Sequence, residues 1–266
     1  MSERISSWQN LERKHEVAAD QIGSRALKLV DARYGSGYPL WKGGRHELAY
    51  HNGYHSRMVG ASAVKACMHY GMTRSELSLA RAIGYSHDVV QLKGRGRDER
   101  ESAEWFEAQL EKACIFPESA RGIGGLAIRG TQPTFARGIV TGQFATKQEY
   151  PSKKAEQFAL GVACGDFGDL YTPEGPYESH QLLREIKGMR PANEIQLDEM
   201  REFQEGQITL LEHFRYADPE GGRALATHKP QVIRYAHDTL KEMERGNIES
   251  WPDLIARDEG FMKIYR

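Results

Sequence analysis

The chain has 266 residues, of which 39% are hydrophobic and 27% are charged, and its formal net charge is -1. This length and apolar content suffice for a full hydrophobic core, and no Pro-, Gly- or Ser-rich linker divides the chain, so we expect one domain over residues 1–266. A nearly neutral chain excludes a broad electrostatic field for duplex nucleic acid or for an anionic membrane surface.

The cysteines and the apolar segments indicate a compartment. Cys67, Cys114 and Cys164 are odd in number, widely spaced and set in apolar contexts, which predicts buried, reduced thiols rather than disulfides. The first twenty residues mix both charge signs, and no stretch reaches the roughly 18 uninterrupted apolar residues of a membrane helix. We therefore expect no signal peptide, no membrane span and a cytoplasmic location. The oligomeric state is left open.

Apolar residues recur at helical spacing along the chain and strand patterns are nearly absent, so we predict an all-α fold, a helical bundle. Thr73 and Glu76 form a capping-box pattern that opens the third helix, and His87 and Asp88 close it. Residues 130–148 are predicted to be a loop. The predicted helices lie at about 8–34, 47–70, 73–88, 98–112, 117–128, 152–171, 178–187, 194–216, 223–245 and 251–266.

Three separate stretches carry the residues that suggest chemistry. His51 and His55 lie four apart on the second predicted helix and so share a face. His87 and Asp88 end the third helix, and a later apolar helix carries Asp166. Together these stretches could surround one divalent ion with two imidazoles and two carboxylates. Such a ligand set leaves coordination positions for water and a phosphoryl oxygen, which suggests metal-assisted hydrolysis of a phosphate ester.

The order of these motifs is similar to that of a known superfamily. Tyr-His-Asn-x-x-His stands at 50–55, His-Asp-Val-Val at 87–90, Glu-x-x-Ser-Ala at 99–103 and Gly-Asp-Phe-Gly-Asp at 165–169. This order resembles the HD superfamily of metal-dependent phosphohydrolases, defined by H…HD…D on an all-α bundle, and especially its small bacterial members. The resemblance implies a metal-binding core at about 45–172, with the N- and C-terminal helices packed on it.

By that resemblance the metal ligands are His55, His87, Asp88 and Asp166. Asp169 lies three residues after Asp166, so it could also approach the site, and we place it on the substrate side. Dinuclear members carry extra histidines between the His-Asp pair and the last Asp, and this chain has none there. We therefore expect one ion and disfavour a di-iron oxygenase. Mn²⁺, Fe²⁺, Co²⁺, Ni²⁺ and Zn²⁺ all suit mixed His/carboxylate ligation, whereas Mg²⁺ suits imidazole less.

The resemblance also implies roles around the metal. His51 is a candidate general acid for the leaving oxygen, because an imidazole has a suitable ordinary pKa, or else a hydrogen-bond donor to a ligand. Asn52 is placed among the substrate-binding residues, and its contribution is expected to be orienting a ligand or closing the helix packing. The resemblance alone implies that Glu101 assists the attacking water.

A basic loop follows the His-Asp pair. Lys93, Arg95 and Arg97 alternate with glycines, so the backbone could fold over an anion and these side chains could position a phosphate. The alternative is that they form exposed ion pairs with neighbouring acids, which contribute little energy. A second His-Asp pair, at 237–238, has the charge pattern of a solvated helix face.

The expected function is hydrolysis of a phosphomonoester or phosphodiester by attack of metal-activated water. A nucleotide is the favoured substrate class, because the resembling families act mostly on nucleotides. The expected partner is therefore a small phosphorylated substrate, with no membrane and no duplex nucleic acid. The alternative is a non-catalytic HD domain that holds a metal for regulation or ligand sensing.

Overall fold

The computed structural model describes residues 2–35, 48–94, 96–116, 118–136, 139–189 and 191–265, and it is 73% helical. Eleven α-helices and a two-stranded sheet lie in these ranges, which confirms the predicted all-α class. In chain order the elements are α1 (Ser2–Tyr34), α2 (Gly53–Cys67), α3 (Arg74–Ser86), α4 (Arg97–Ala113), α5 (Glu118–Thr131), β1 (Pro133–Ala136), β2 (Ile139–Gln143), α6 (Lys153–Asp166), α7 (Gly175–Ile186), α8 (Leu197–His213), α9 (Pro219–Leu225), α10 (Lys229–Glu244) and α11 (Trp251–Tyr265).

The sheet lies in residues 130–148, which were predicted to be a loop. β1 and β2 pair antiparallel, with Pro133 opposite Gln143 and Ala136 opposite Ile139, and the register shifts between Thr134 and Phe135. Strands of four and five residues are too short for a clear apolar alternation, and a glycine within β2 weakens the strand pattern further. The loop prediction is therefore wrong for this hairpin.

Two predicted helices have different boundaries, each for a local reason. The helix predicted over 47–70 begins only at Gly53, because Asn52 caps it, so His51 precedes the helix instead of lying on it. The helix predicted over 223–245 is divided into α9 and α10. Pro230 lies in the first turn of α10, where its missing N–H costs nothing, whereas within a continuous helix its ring would clash with the carbonyl group four residues earlier.

Two glycines let the site-bearing helices approach one another closely. A Cβ on Gly84 of α3 would lie 2.6 Å from the Cα of Gly60 on α2, and a Cβ on Gly165 of α6 would lie 2.8 Å from the backbone N of Ala63 on α2. Any larger residue would push these backbones apart. The close packing brings the ends of α3 and α6 to the first turn of α2.

Separate groups of buried apolar residues stabilise the two halves of the chain. The group around α1 to α6 includes Ile22, Ile83, Phe106, Ile128 and Val162. The group beneath the C-terminal helices includes Leu170, Tyr171, Phe214, Val232 and Phe261.

A buried polar network ties α7 to the C-terminal helices. The Nδ1 of His180 donates to Asp258 at 2.7 Å, and its Nε2 donates to Gln204 at 2.9 Å. The Tyr235 hydroxyl donates to the other oxygen of Asp258 at 2.8 Å. Burial alone would lower the pKa of His180, but the Asp258 carboxylate and the Gln204 oxygen raise it above its ordinary value. The imidazolium form is thus the one that the folded protein favours.

This network predicts a pH-dependent contribution to stability. Because the folded-state pKa of His180 is raised, its stabilising effect is fully present below the unfolded pKa of about 6.5 and is lost as the pH rises through the folded pKa. We expect His180→Gln to lower the free energy of unfolding by about 3 kcal/mol at pH 6, and by less as the pH rises. Chemical denaturation in EDTA at pH 6 to 9 measures this difference.

The matched control for this experiment is His213→Gln, since His213 is exposed on α8. That variant should follow the wild type at every pH. A destabilisation by His180→Gln that stays constant or grows with rising pH would contradict the assignment of a charged His180.

The cysteines differ in their exposure to solvent. All three cysteines are free, and Cys67 and Cys164 are buried as predicted. Cys114 is exposed, because it ends α4 in a left-handed conformation with φ of 56°, so the prediction of a buried thiol is wrong there.

In the described ranges no helix combines the length and apolar character that crossing a bilayer requires.

Candidate metal centre

Three side chains from three helices form a compact group of metal-type donors. His55 comes from the first turn of α2, His87 directly follows α3, and Asp166 is the last residue of α6. Their donor atoms all lie within 4.8 Å of one another. An oxygen of Asp166 is 3.4 Å from Nε2 of His55 and 3.2 Å from Nε2 of His87. This group can hold a metal ion.

Asp88, the fourth predicted ligand, lies beside this group. Its Oδ2 is 2.9 Å from Nε2 of His87 and 3.5 Å from Nε2 of His55. Its Oδ1 accepts a hydrogen bond of 2.5 Å from Gln91. The amide of Gln91 therefore fixes the carboxylate so that its other oxygen is directed at the two imidazoles.

The hydrogen bonds of the group fit a bound cation. Nε2 of His55, Nε2 of His87 and Oδ2 of Asp88 are buried without a hydrogen-bond partner among the described residues, although they lie close together. Nδ1 of His87 donates to the carbonyl oxygen of Gly84 at 2.7 Å, which directs Nε2 at the two carboxylates, and a bound metal would take the place of the proton on Nε2. Buried polar atoms without partners are costly, and an ion bound between them would remove that cost.

The electrostatics of the group keep its carboxylates ionised. Burial would raise the pKa values of Asp88 and Asp166, but His87 and His55 lower both. Burial would lower the pKa of His87, but Asp88 and Asp166 raise it well above its ordinary value. Ionised carboxylates are the form that binds a cation.

Asn52 positions His55 and has no free polar atom for a substrate. Its Oδ1 accepts from the backbone N–H groups of Tyr54 at 2.9 Å and His55 at 3.3 Å. Its Nδ2 donates to the carbonyl oxygens of Leu48 and Ala49. Asn52 is thus the N-cap of α2, and this structure replaces the predicted substrate contact with the alternative, that Asn52 closes the helix packing.

His51 is held at the edge of the group by a residue that the sequence did not indicate. Nδ1 of His51 lies 2.5 Å from Oε1 of Glu185 on α7, and Oε2 of Glu185 accepts the backbone N–H groups of Tyr50 and His51, each at 3.0 Å. Burial would lower the pKa of His51, but Glu185 raises it to about 9. The rings of His51 and His55 are 5.7 Å apart.

The predicted water-activating residue is turned to the surface. The carboxylate of Glu101 accepts from Nε of Arg97 at 2.8 Å, and both side chains are partly exposed. Burial raises the pKa of Glu99, and Asp88 and Asp166 raise it further against the lowering effect of its hydrogen bond with Gly96. The carboxylate of Glu99 accepts the backbone N–H of Gly96 at 2.7 Å, so this residue caps α4.

The basic loop forms contacts of the kind expected for a solvated segment. Arg97 pairs with Glu101, as described, and the Lys93 side chain is exposed while its backbone N–H donates to Asp98 at 2.8 Å. Arg95 lies outside the described residues. For Arg97 the ion-pair alternative therefore holds, and phosphate binding by Lys93 stays a prediction.

Asp169 lies next to the metal group without belonging to it. It follows α6 by three residues and is 7% exposed, but the three-donor group contains Asp166. Burial raises the pKa of Asp169, and Asp166 and Glu174 raise it further against the effect of His55. The position supports the choice of Asp166 as a ligand and of Asp169 as a neighbouring acid.

The second His-Asp pair is a surface feature, as predicted. His237 pairs with Glu212 at 2.9 Å and Asp238 pairs with Lys241 at 3.4 Å, and all four side chains are exposed. The identical dipeptide thus occurs once at the candidate metal centre and once on an exposed helix face.

Neither a protein-family model nor a curated protein nor a solved structure matches this chain. Membership of the HD superfamily therefore stays a prediction from the motifs. The geometry of His55, His87 and Asp166 fits a site for a metal ion.

Proposed function

We propose that this protein is a metal-dependent phosphohydrolase that cleaves a phosphomonoester or phosphodiester. The observation that carries the proposal is the group of His55, His87 and Asp166, whose two buried imidazole nitrogens have no hydrogen-bond partner among the described residues, with an oxygen of Asp88 2.9 Å from Nε2 of His87 beside them. Nucleotides are the substrate class that the motif resemblance favours.

A divalent ion bound by these residues supplies Lewis acidity, which makes water a nucleophile near neutral pH and offsets charge on the phosphoryl oxygens. Asp88, oriented by Gln91, completes the set of donors. Imidazole ligands favour Mn²⁺, Fe²⁺, Co²⁺, Ni²⁺ or Zn²⁺ over Mg²⁺.

His51 is the proposed proton donor to the leaving oxygen. With a pKa of about 9 its imidazole is protonated at neutral pH, as a general acid must be. The carboxylate of Glu185 accepts hydrogen bonds from Nδ1 of His51 and from the backbone N–H groups of Tyr50 and His51. The proton on Nε2 of His51 is therefore the one available for transfer. Glu185 is thus a positioning residue that also keeps His51 charged.

The proposal predicts metal-dependent turnover in a simple assay. Protein stripped with a chelator should hydrolyse p-nitrophenyl phosphate or bis-p-nitrophenyl phosphate only after Mn²⁺, Co²⁺, Ni²⁺ or Zn²⁺ is added. Asp88→Asn should lower kcat/KM at least about a hundredfold, because it removes a ligand charge. Nucleotides and cyclic nucleotides form the second panel of substrates.

The exposed pair supplies the control for this assay. Asp238→Asn changes the same dipeptide at an exposed position and should leave turnover unchanged. Stoichiometric metal binding with no cleavage of either ester class would instead support the regulatory or ligand-sensing alternative and would overturn the hydrolase proposal.

A further inference from the structure

Asp88 is held by a chain of contacts that ends on α1, outside the motifs of the metal centre. Its Oδ1 accepts the side-chain amide of Gln91, and its Oδ2 lies 2.9 Å from Nε2 of His87. Gln91 therefore directs Asp88 at the imidazoles. It lies three residues after Asp88, in a segment that is neither helix nor strand. A contact that fixes this segment also fixes the carboxylate of Asp88.

Two consecutive side chains at the end of α1 bind this segment. The Tyr34 hydroxyl accepts the backbone N–H of Gln91 at 2.9 Å and donates to the carbonyl oxygen of Val89 at 3.4 Å. Nη1 of Arg33 donates to the same carbonyl oxygen at 2.7 Å. Burial raises the pKa of Tyr34 against the lowering effect of the Gln91 N–H, so the hydroxyl keeps its proton at neutral pH. It can therefore donate and accept at the same time.

The ring of Tyr34 is fixed in the apolar interior. Tyr34 is 4% exposed, and it belongs to a group of buried apolar residues that includes Val30, Leu48 and Val89. Its backbone carbonyl also accepts the N–H of Leu48 at 2.9 Å. Because close packing leaves such a ring little freedom, its hydroxyl has a fixed position on α1, and the hydrogen bond to Gln91 transmits that position to the segment.

The backbone next to Gln91 indicates that the segment is constrained. Leu92 has a φ of 75°, a left-handed conformation that residues with a side chain rarely adopt. Beyond it, the backbone N–H groups of Lys93 and Gly94 donate to Asp98 at 2.8 Å and 3.2 Å. Strained conformations persist only where the surroundings hold them. Leu92 lies between two such held points, Gln91 on one side and Lys93 on the other.

We propose that Tyr34, assisted by Arg33, is a positioning residue that orients Asp88 through Gln91. The motifs of the metal centre begin at Tyr50, so α1 is a part of the chain that none of them contains. The inference rests on the metal centre of the proposed function, and it makes that centre depend on the N-terminal helix. It is tested on metal affinity, which can be measured whether or not an ester is cleaved.

A double-mutant cycle on metal affinity tests this role. Protein stripped with a chelator is titrated with Co²⁺, and the visible absorption of the bound ion gives Kd. Gln91→Ala removes a direct partner of a ligand and should raise Kd about tenfold or more. Tyr34→Phe keeps the ring and should raise Kd about fivefold, because the lost hydroxyl acts one contact further from the ion. In the Gln91→Ala background, Tyr34→Phe should raise Kd by less than about twofold.

Tyr150→Phe is the matched control. The Tyr150 hydroxyl also donates to a backbone carbonyl, that of Ala145 at 2.9 Å, and accepts a glutamine amide, that of Gln148 at 3.1 Å. It lies outside the metal group, so this variant should bind Co²⁺ as the wild type does.

Arg33→Met is a second variant, which decides the question if Tyr34→Phe does not fold by circular dichroism. It removes the other donor to Val89, and it should raise Kd in the same direction without adding to the effect of Gln91→Ala. In that case a wild-type Kd in Arg33→Met would overturn the proposal.

The possible results separate this inference from the proposed function. A merely structural role of Tyr34 would lower the stability of the metal-free protein and leave Kd unchanged. A wild-type Kd in folded Tyr34→Phe, effects of Tyr34→Phe and Gln91→Ala that multiply, or an equal loss of affinity in Tyr150→Phe would each overturn the positioning role and leave the hydrolase proposal intact.

Two further outcomes concern the hydrolase. Co²⁺ binding that depends on Tyr34 and Gln91 as expected, without cleavage of any ester, would overturn the hydrolase proposal and support this inference. Failure of the wild-type protein to bind Co²⁺ would overturn both.

Discussion

Asp166→Asn is expected to remove the bound metal and to lower kcat/KM by at least about a thousandfold, because without the ion water loses its activation at neutral pH. Asp166 contacts both imidazoles of the group, at 3.4 Å and 3.2 Å, and an amide in its place carries no charge to balance the cation. Metal content after gel filtration and steady-state kinetics measure the two effects.

Asp169→Asn is the matched comparison for this experiment. It makes the same chemical change three residues away, outside the three-donor group, and should retain one metal ion per chain. If Asp169→Asn lost the ion and Asp166→Asn kept it, the ligand assignment would be reversed and the geometry of the group would have been misinterpreted.

The second large effect concerns proton donation to the leaving group. His51→Gln should lower kcat about a hundredfold for an alkyl phosphate, whose leaving oxygen needs a proton, and only severalfold for p-nitrophenyl phosphate. Glu185→Gln should also lower kcat, but by a smaller factor. This variant keeps the imidazole of His51 but removes the carboxylate that keeps it protonated and holds it in position. The measurement is kcat and KM for both esters in each variant.

The contrast between the two esters makes this prediction specific. A merely structural role of His51 would lower kcat for both substrates by the same factor, and that result would contradict the assignment of a general acid. Wild-type metal content in both variants is the required control, since the ring of His51 lies near that of His55.

The sequence predicted the metal group because its members lie in short motifs. His55 follows a Tyr-His-Asn-x-x-His pattern, and His87 and Asp88 end a helix with a clear capping box, which the structure contains at Thr73 and Glu76. Asp166 lies on an apolar helix. For His87 and Asp88 local spacing and the helix boundary are enough to place the side chains at the end of an element.

The surroundings of that group could not be predicted, because they depend on contacts between distant parts of the chain. Glu185 is 134 residues from His51 in sequence, and it lies on α7, whose sequence has no motif that indicates a site. The exposed position of Glu101, paired with Arg97, could not be predicted for a similar reason. Which face of α4 turns toward Asp88 depends on tertiary packing.

Helix boundaries near the site were hard to predict for a different reason. Asn52 suits a position within the helical pattern of 47–70 as well as it suits an N-cap, and only the structure shows that its side chain binds the backbone of Tyr54 and His55. This boundary has a functional consequence. His51 lies before the first residue of the helix, and in that position its side chain pairs with Glu185.

The most direct test of the account is anomalous diffraction from crystals of the Mn²⁺-loaded protein. We expect one anomalous peak per chain within about 2.0–2.3 Å of Nε2 of His55, Nε2 of His87 and a carboxylate oxygen of Asp166, as is usual for transition-metal ligands. Crystals grown with excess Mn²⁺ that show no peak between these three side chains would contradict the account.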